Sequence, residues 1–158
     1  MQQPQLPVPW RPNLTPPNLP PIFDDINQNS WYVRYVTAVT SAGVFQGTGV
    51  DQFSPDETMT RAMFVQVFAN LEGVDLLAFS NSIPDFTDVS PDDWYFGAVE
   101  WAASLGIVSG LGEGIFALNT PISREQLAVM LFRFIQIMGI EIPMRDIVTF
   151  INQDTISP

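Results

Sequence analysis

Seventeen carboxylates and six arginines carry the side-chain charge of this sequence, which has no lysine, histidine or cysteine. Imidazole bases, thiol nucleophiles, Schiff bases and the usual zinc and haem ligand sets are therefore excluded, and carboxylate chemistry is what remains. Two forms of it can be tested against spacing. Asp85, Asp88, Asp92 and Asp93, and the stretch "DQFSPDE" from Asp51 to Glu57, lack the alternating ligands and sixth-position glycine of a calcium loop. No pair of acids is specified at the separation that glycoside hydrolysis needs, and a solvated acidic face accounts for them more simply. The expectation is a chain that is not an enzyme, with no metal site and no cofactor.

Two arginines pose a sharper question. Arg61 in "MTRAMF" and Arg124 in "ISREQL" fall in the first turn of what read as helices. Unpaired N–H groups and the positive end of the macrodipole make a cation there unfavourable by a few tenths to about 1 kcal/mol.

The elements that would position these residues come as a repeat. Sliding the sequence by sixty-three residues aligns "FDDINQNSWYVRYVTAVTSAGVFQGTGVDQFSPDETMTRAMFVQVFANL" with "FTDVSPDDWYFGAVEWAASLGIVSGLGEGIFALNTPISREQLAVMLFRF" without a gap. Phe23, Asp25, Trp31, Gly43, Gly47, Phe53 and Arg61 fall on Phe86, Asp88, Trp94, Gly106, Gly110, Phe116 and Arg124. Each unit reads as helix, glycine-rich connection, helix. The first helix is predicted to open at Asn27 or Ser90, with Asp93 as a capping-box acid, and to stop at Gly43 or Gly106. The second opens at Thr60 or Ser123 and ends at Gly73 or Gly139. Tyr95, Ala98, Val99, Ala102 and Leu105 form one apolar stripe; Phe64, Val67, Phe68 and Leu71, and Leu127, Met130, Leu131 and Phe134, form the others. Neither helix pair can bury its stripe alone, so the units are expected to pack on each other and on a third.

The chain divides into a proline-rich linker over 1–21, holding eight of fourteen prolines, a first repeat over 22–80, a second over 81–145, and the beginning of a third, cut off, over 146–158. The linker lacks the regions of a signal peptide. A net charge of −11 repels phosphate backbones, so no nucleic acid is expected. The run "AVMLFRFIQIMGIEI" is too short and too polar for membrane insertion.

The paired motifs "FDDINQNSW…GVFQG…F…MTRAMF" and "FTDVSPDDW…GIVSG…F…ISREQL" resemble bacterial S-layer homology repeats over residues 22–140 and the following stub. The resemblance implies an all-α fold of tandem helix-turn-helix repeats forming part of a three-pronged pseudo-trimer. It also implies a secreted, extracellular location at the bacterial cell wall or S-layer. The implied function is a non-catalytic cell-wall anchoring module, binding an anionic secondary cell-wall polysaccharide, commonly pyruvylated, in grooves between repeats. On that reading Arg61 and Arg124 pool their charge with the helix amides to hold a carboxylate. Trp31, Trp94, Asp25 and Asp88 line the sugar surface, and Gly47 and Gly110 permit close backbone approach. The family's glutamate after Thr-Arg-Ala is Met63 in one unit and Gln126 in the other. The simpler account is a capping-box role that Gln126 keeps and Met63 loses; the other account has the glutamate holding the arginine or the sugar.

Each candidate also has a plain reading. Trp31 and Trp94 serve equally well as core anchors, Trp101, which falls opposite Ala38, as packing, and Asp25 and Asp88 as Asx turns that satisfy loop N–H groups. Gly47 and Gly110 provide backbone angles or close approach with or without a ligand. The rival function is a protein-interaction or self-assembly module, in which a third repeat or another copy covers the open apolar face.

Overall fold

The structure, a computed structural model, describes residues 23–141. The expected linker over 1–21 and the third-repeat start over 146–158 lie outside them. Four helices follow in order: α1 (Val33–Ser41), α2 (Arg61–Glu72), α3 (Phe96–Ser104) and α4 (Arg124–Ile137), with a 3-10 turn at Leu76–Phe79 between α2 and α3. Among the described residues there is no β-strand, and the two extended contacts are single bridges, Gly49 with Gln52 and Thr60 with Pro121. The fold class is all-α.

The second helix of each unit starts where its cap predicts. The Thr60 hydroxyl accepts from the Met63 N–H, and the Ser123 hydroxyl accepts from the Gln126 N–H. In the second unit the Gln126 side chain returns the bond to the Ser123 N–H and completes a capping box, which Met63 has no polar atom to do. Helix α2 ends on Gly73, whose φ of 64° is the left-handed conformation that frees the chain from the helix without a Cβ clash.

The first helices start later than expected. Helix α1 opens at Val33 and α3 at Phe96, after Tyr32 and Tyr95, which form no side-chain cap bond. The polar residues read as caps are used locally instead. Asn27 Oδ1 accepts from the Asn29 N–H, Ser90 Oγ from the Asp92 N–H, and Asp93 Oδ2 from the Ser90 N–H. The first two are i to i+2 bonds and the third, the bond expected of Asp93 in a capping box, spans three residues; here they close turns in competition with the helix, which waits until past the Trp-Tyr pair.

The main core is built on the second unit, with α2 of the first packed into it. Ala62, Val65, Phe68 and Ala69 of α2 join Ala98, Val99, Trp101 and Ala102 of α3 and Met130 and Phe134 of α4 in one buried cluster. The Phe68 and Phe134 rings stack at 4.3 Å with planes 4° apart. A smaller cluster of Phe23, Ile26 and Val36 serves the first unit. The predicted stripes are partly displaced. Leu105 and Leu131 are exposed, because α2 presents its Ala62–Val65–Ala69 edge to α3, and α4 meets the bundle along Met130 and Phe134, with Ile135 partly buried beside them. Trp101 is buried, as packing.

Candidate functional site

The loop before each second helix has one design, built twice. Asp25 accepts from the N–H groups of Phe53 and Ser54 at 2.7–3.1 Å, and Asp88 from those of Phe116 and Ala117 at 2.7 and 2.8 Å. The Phe53 and Phe116 backbone bonds are thereby fixed, and their rings lie against Phe23 and Phe86 at 5.4 and 5.2 Å. These hydrogen bonds, with that to Phe53 foremost, hold the Asp25 carboxyl below its ordinary pKa. Gly47 and Gly110 serve the same joint. A Cβ on Gly47 would stand 2.4 Å from the Gln52 oxygen and 2.6 Å from the Phe23 ring. On Gly110 it would stand 2.7 Å from the Ile115 oxygen and 3.1 Å from Phe86. Both aspartates act in the loops, and the close approach at both glycines is between parts of the chain itself.

Arg61 departs from the expectation that it faces an anionic ligand. Its side chain is 2% exposed, and it crosses from the first unit into the loop of the second. Nε donates to the Phe116 carbonyl at 2.8 Å, a terminal nitrogen donates to the Ser109 carbonyl at 3.1 Å, and the guanidinium lies over the Phe116 ring at 4.7 Å. The backbone of the same helix start is engaged too. The Arg61 N–H donates to the Thr120 carbonyl and the Ala62 N–H to the Leu118 carbonyl, while Ile122 N–H returns a bond to Met59. The positive end of α2 and its arginine thus meet four carbonyl oxygens of the next unit, which supply the negative charge that the helix start favours. Burial pushes the Arg61 pKa down, and the Asp88 carboxylate opposes that shift. Backbone carbonyls leave no mark in a sequence, so the four acceptors were not foreseeable; the repeated Phe116 was the one visible trace.

Arg124, at the same place in the repeat, is exposed. Among the described residues no hydrogen bond engages its side chain, nor the N–H groups of Arg124 and Glu125. Trp31 and Trp94 are also outside the core, 82% and 61% exposed, each set edge-on to the tyrosine that follows it.

Trp94 is the second-unit residue that borders a groove of about 550 Å³ lined otherwise by the first unit. One wall is the first unit's loop, including Gln46, Gly47 and Phe53; the other is the α2 face carrying Met63, Gln66 and Asn70. Gln66 Nε2 donates to Asn70 Oδ1 at 2.8 Å, and Asn70 Nδ2 donates to the Val44 carbonyl at 3.1 Å, so the two amides are held in one orientation. That pair was missed, although its i, i+4 spacing is a legible signal. The groove brings Trp94 and Gly47 together; Trp31, Arg61, Arg124, Asp25, Asp88 and Gly110 are not among its lining residues. A hydroxyl-rich ligand with one apolar face suits such a lining of amides, an indole and methionines. Among the described residues no group of three or more acidic side chains is placed to hold a metal ion, and no helix is long and apolar enough to cross a membrane.

The S-layer homology domain profile matches the chain at residues 22–63 and 85–128, one match per unit. The chain is similar to an endoglucanase of a Bacillus species, 35% identical over 111 residues, which are 70% of this chain and 11% of that protein. It is 29% identical over 121 residues to the surface-layer 125 kDa protein of Lysinibacillus sphaericus, covering 72% of this chain and 10% of the relative. It is 28% identical over 104 residues to the middle cell wall protein of Brevibacillus brevis, covering 63% and 10%. The chain spans about a tenth of the length of these relatives, and what it shares with the endoglucanase is the S-layer homology segment.

Proposed function

Because the chain belongs to the S-layer homology family, we propose that it is a non-catalytic module that holds a secreted protein on the bacterial cell wall by binding wall polysaccharide. The observation that carries this reading is Trp94, a large aromatic of the second unit left 61% exposed at the edge of the first unit's groove. An indole face that packing has not claimed is available to the C–H side of a pyranose, and the Gln66–Asn70 amides beside it suit hydroxyl groups. Relatives named for the cell wall and the surface layer, and an enzyme that shares the same segment, are what a transferable anchor would produce.

The finer reading concerns the charge of the polymer. Arg61 is committed to the junction, so a carboxylate such as ketal-linked pyruvate would be met at Arg124, an exposed cation at a helix start whose Arg124 and Glu125 amides are unbonded among the described residues. Trp31 offers a second stacking surface on the first unit. Titration of the chain with purified wall polysaccharide, with and without its pyruvate, tests both levels. Binding lost in Trp94→Ala supports the groove, and binding weakened by depyruvylation supports the Arg124 contact. A Trp94→Ala variant with undiminished affinity overturns the groove reading.

A further inference from the structure

The junction between the units defines what fits a loop of this design: an arginine at a helix start. Its acceptors in the second unit are the carbonyls of Ser109, Phe116, Leu118 and Thr120. Sixty-three residues earlier the first unit carries Gln46, Phe53, Pro55 and Glu57 at the same places. Among the described residues none of those four carbonyls accepts a hydrogen bond, and all four residues line the groove. The frame is otherwise alike: Asp25 fixes Phe53 as Asp88 fixes Phe116. Among the described residues the socket of the first unit is therefore unfilled.

The second unit holds the matching plug. Along α2 the residues covered by the junction are Arg61, Ala62, Val65 and Ala69, each at most 2% exposed. Their counterparts on α4 are Arg124, Glu125, Ala128 and Phe132, and all four are exposed, Phe132 by 58%. Charge is complementary as well, since the Arg124 guanidinium would lie near the Asp25 carboxylate as Arg61 lies near Asp88. Plug and socket sit on different units of one chain, and among the described residues no hydrogen bond joins Arg124 to the socket carbonyls.

We propose that the α4 start of one chain docks in the first-unit socket of a second copy, with Arg124 donating to the Gln46 and Phe53 carbonyls over the Phe53 ring. The contact is heterologous, so it propagates head to tail, closing into a ring or continuing as a filament according to the rotation per unit. One Arg124 side chain serves one partner at a time, so association is read without polysaccharide. The socket residues also line the groove given to the glycan, so docking and glycan exclude each other there, but the docking contact stands whether or not the glycan reading does.

Sedimentation of the whole chain over a concentration series, at low and moderate salt, tests it. The expected result is concentration-dependent association that Arg124→Ala abolishes and that Glu57→Arg, which places a cation at the exposed socket rim, also abolishes. Each variant alone should then be a monomer with an unchanged melting profile. A mixture of the two should pair again, because the Glu57→Arg chain keeps an intact plug and the Arg124→Ala chain an intact socket. A wild-type chain that stays monomeric throughout, or association that survives in both variants, overturns the proposal. A mixture that fails to pair does so too.

Discussion

Replacing Arg61 with alanine tests the junction most directly. Truncation leaves the Ser109 and Phe116 carbonyls without donors, about 1–3 kcal/mol each where water does not replace the bond. It also removes a cation from the face of Phe116, worth about 1–2 kcal/mol when desolvated. Against these stands the relief of keeping a guanidinium 2% exposed, which returns several kcal/mol. The balance is a loss of about 1–4 kcal/mol, or roughly 3–15 °C in melting temperature for a domain of this size. Arg124→Ala, made at an exposed helix start, should change stability by no more than about 0.5 kcal/mol. The assay is thermal and urea unfolding followed by far-ultraviolet circular dichroism, on Arg61→Ala, Arg61→Lys, Arg61→Met and Arg124→Ala. Lysine should recover part of the loss, since one ammonium cannot donate as the fork does to two carbonyls while covering the ring. Methionine separates packing from hydrogen bonding: a neutral or stabilising Arg61→Met would mean that desolvation outweighs the bonds. Equal melting of Arg61→Ala and Arg124→Ala would refute the assignment of Arg61 as the link between units.

The loop joints should show the steric limit that their glycines imply. Gly47→Ala drives a Cβ to 2.4 Å from a backbone oxygen and should cost about 1–3 kcal/mol in a melt, whereas Gly49→Ala, with no neighbour closer than 3.6 Å, should be nearly neutral. Two acids should give pH dependences of opposite sign. Burial raises the pKa of Glu100, so its folded-state penalty grows as pH climbs from the ordinary carboxyl value through the raised one; Glu100→Gln should stabilise at pH 7, with the gain vanishing near pH 4. Asp25, held below its ordinary value mainly by the Phe53 N–H, stabilises above that value and loses the contribution as pH falls through the lowered one, so the Asp25→Asn difference should shrink towards pH 2 in an acid titration. Trp94→Ala should leave the melt unchanged and reduce polysaccharide affinity about tenfold or more, roughly 1.4 kcal/mol, by calorimetric titration.

The caps of α2 and α4 were legible because capping is local. A hydroxyl, three residues and an N–H suffice, so Thr60, Ser123 and the completed box at Gln126 are where the sequence puts them. The start of the first helices was not, since Ser90 and Asp93 satisfy each other equally well in a turn as in a helix, and local pattern does not choose between those. For the candidate site, the repeat singled out Asp25, Asp88, Gly47 and Gly110 as special positions. Which partner each meets is a matter of chain segments far apart in sequence, and Asp25 reaches Phe53 across 28 residues. Trp31 and Trp94 stood level between core and surface until packing left both outside.

Alone, the sequence determined that there are two like units, where their second helices begin, and that each of those helices starts with an arginine facing an unfavourable dipole. The fate of those two arginines belongs to the tertiary structure. Arg61 and Arg124 share one local pattern, yet one is 2% exposed and bonded to carbonyls while the other lies open. The difference is whether another unit's loop arrives to offer its oxygens. A buried cation is tolerated only where such acceptors replace its water, and no property of the six residues around either arginine can supply them.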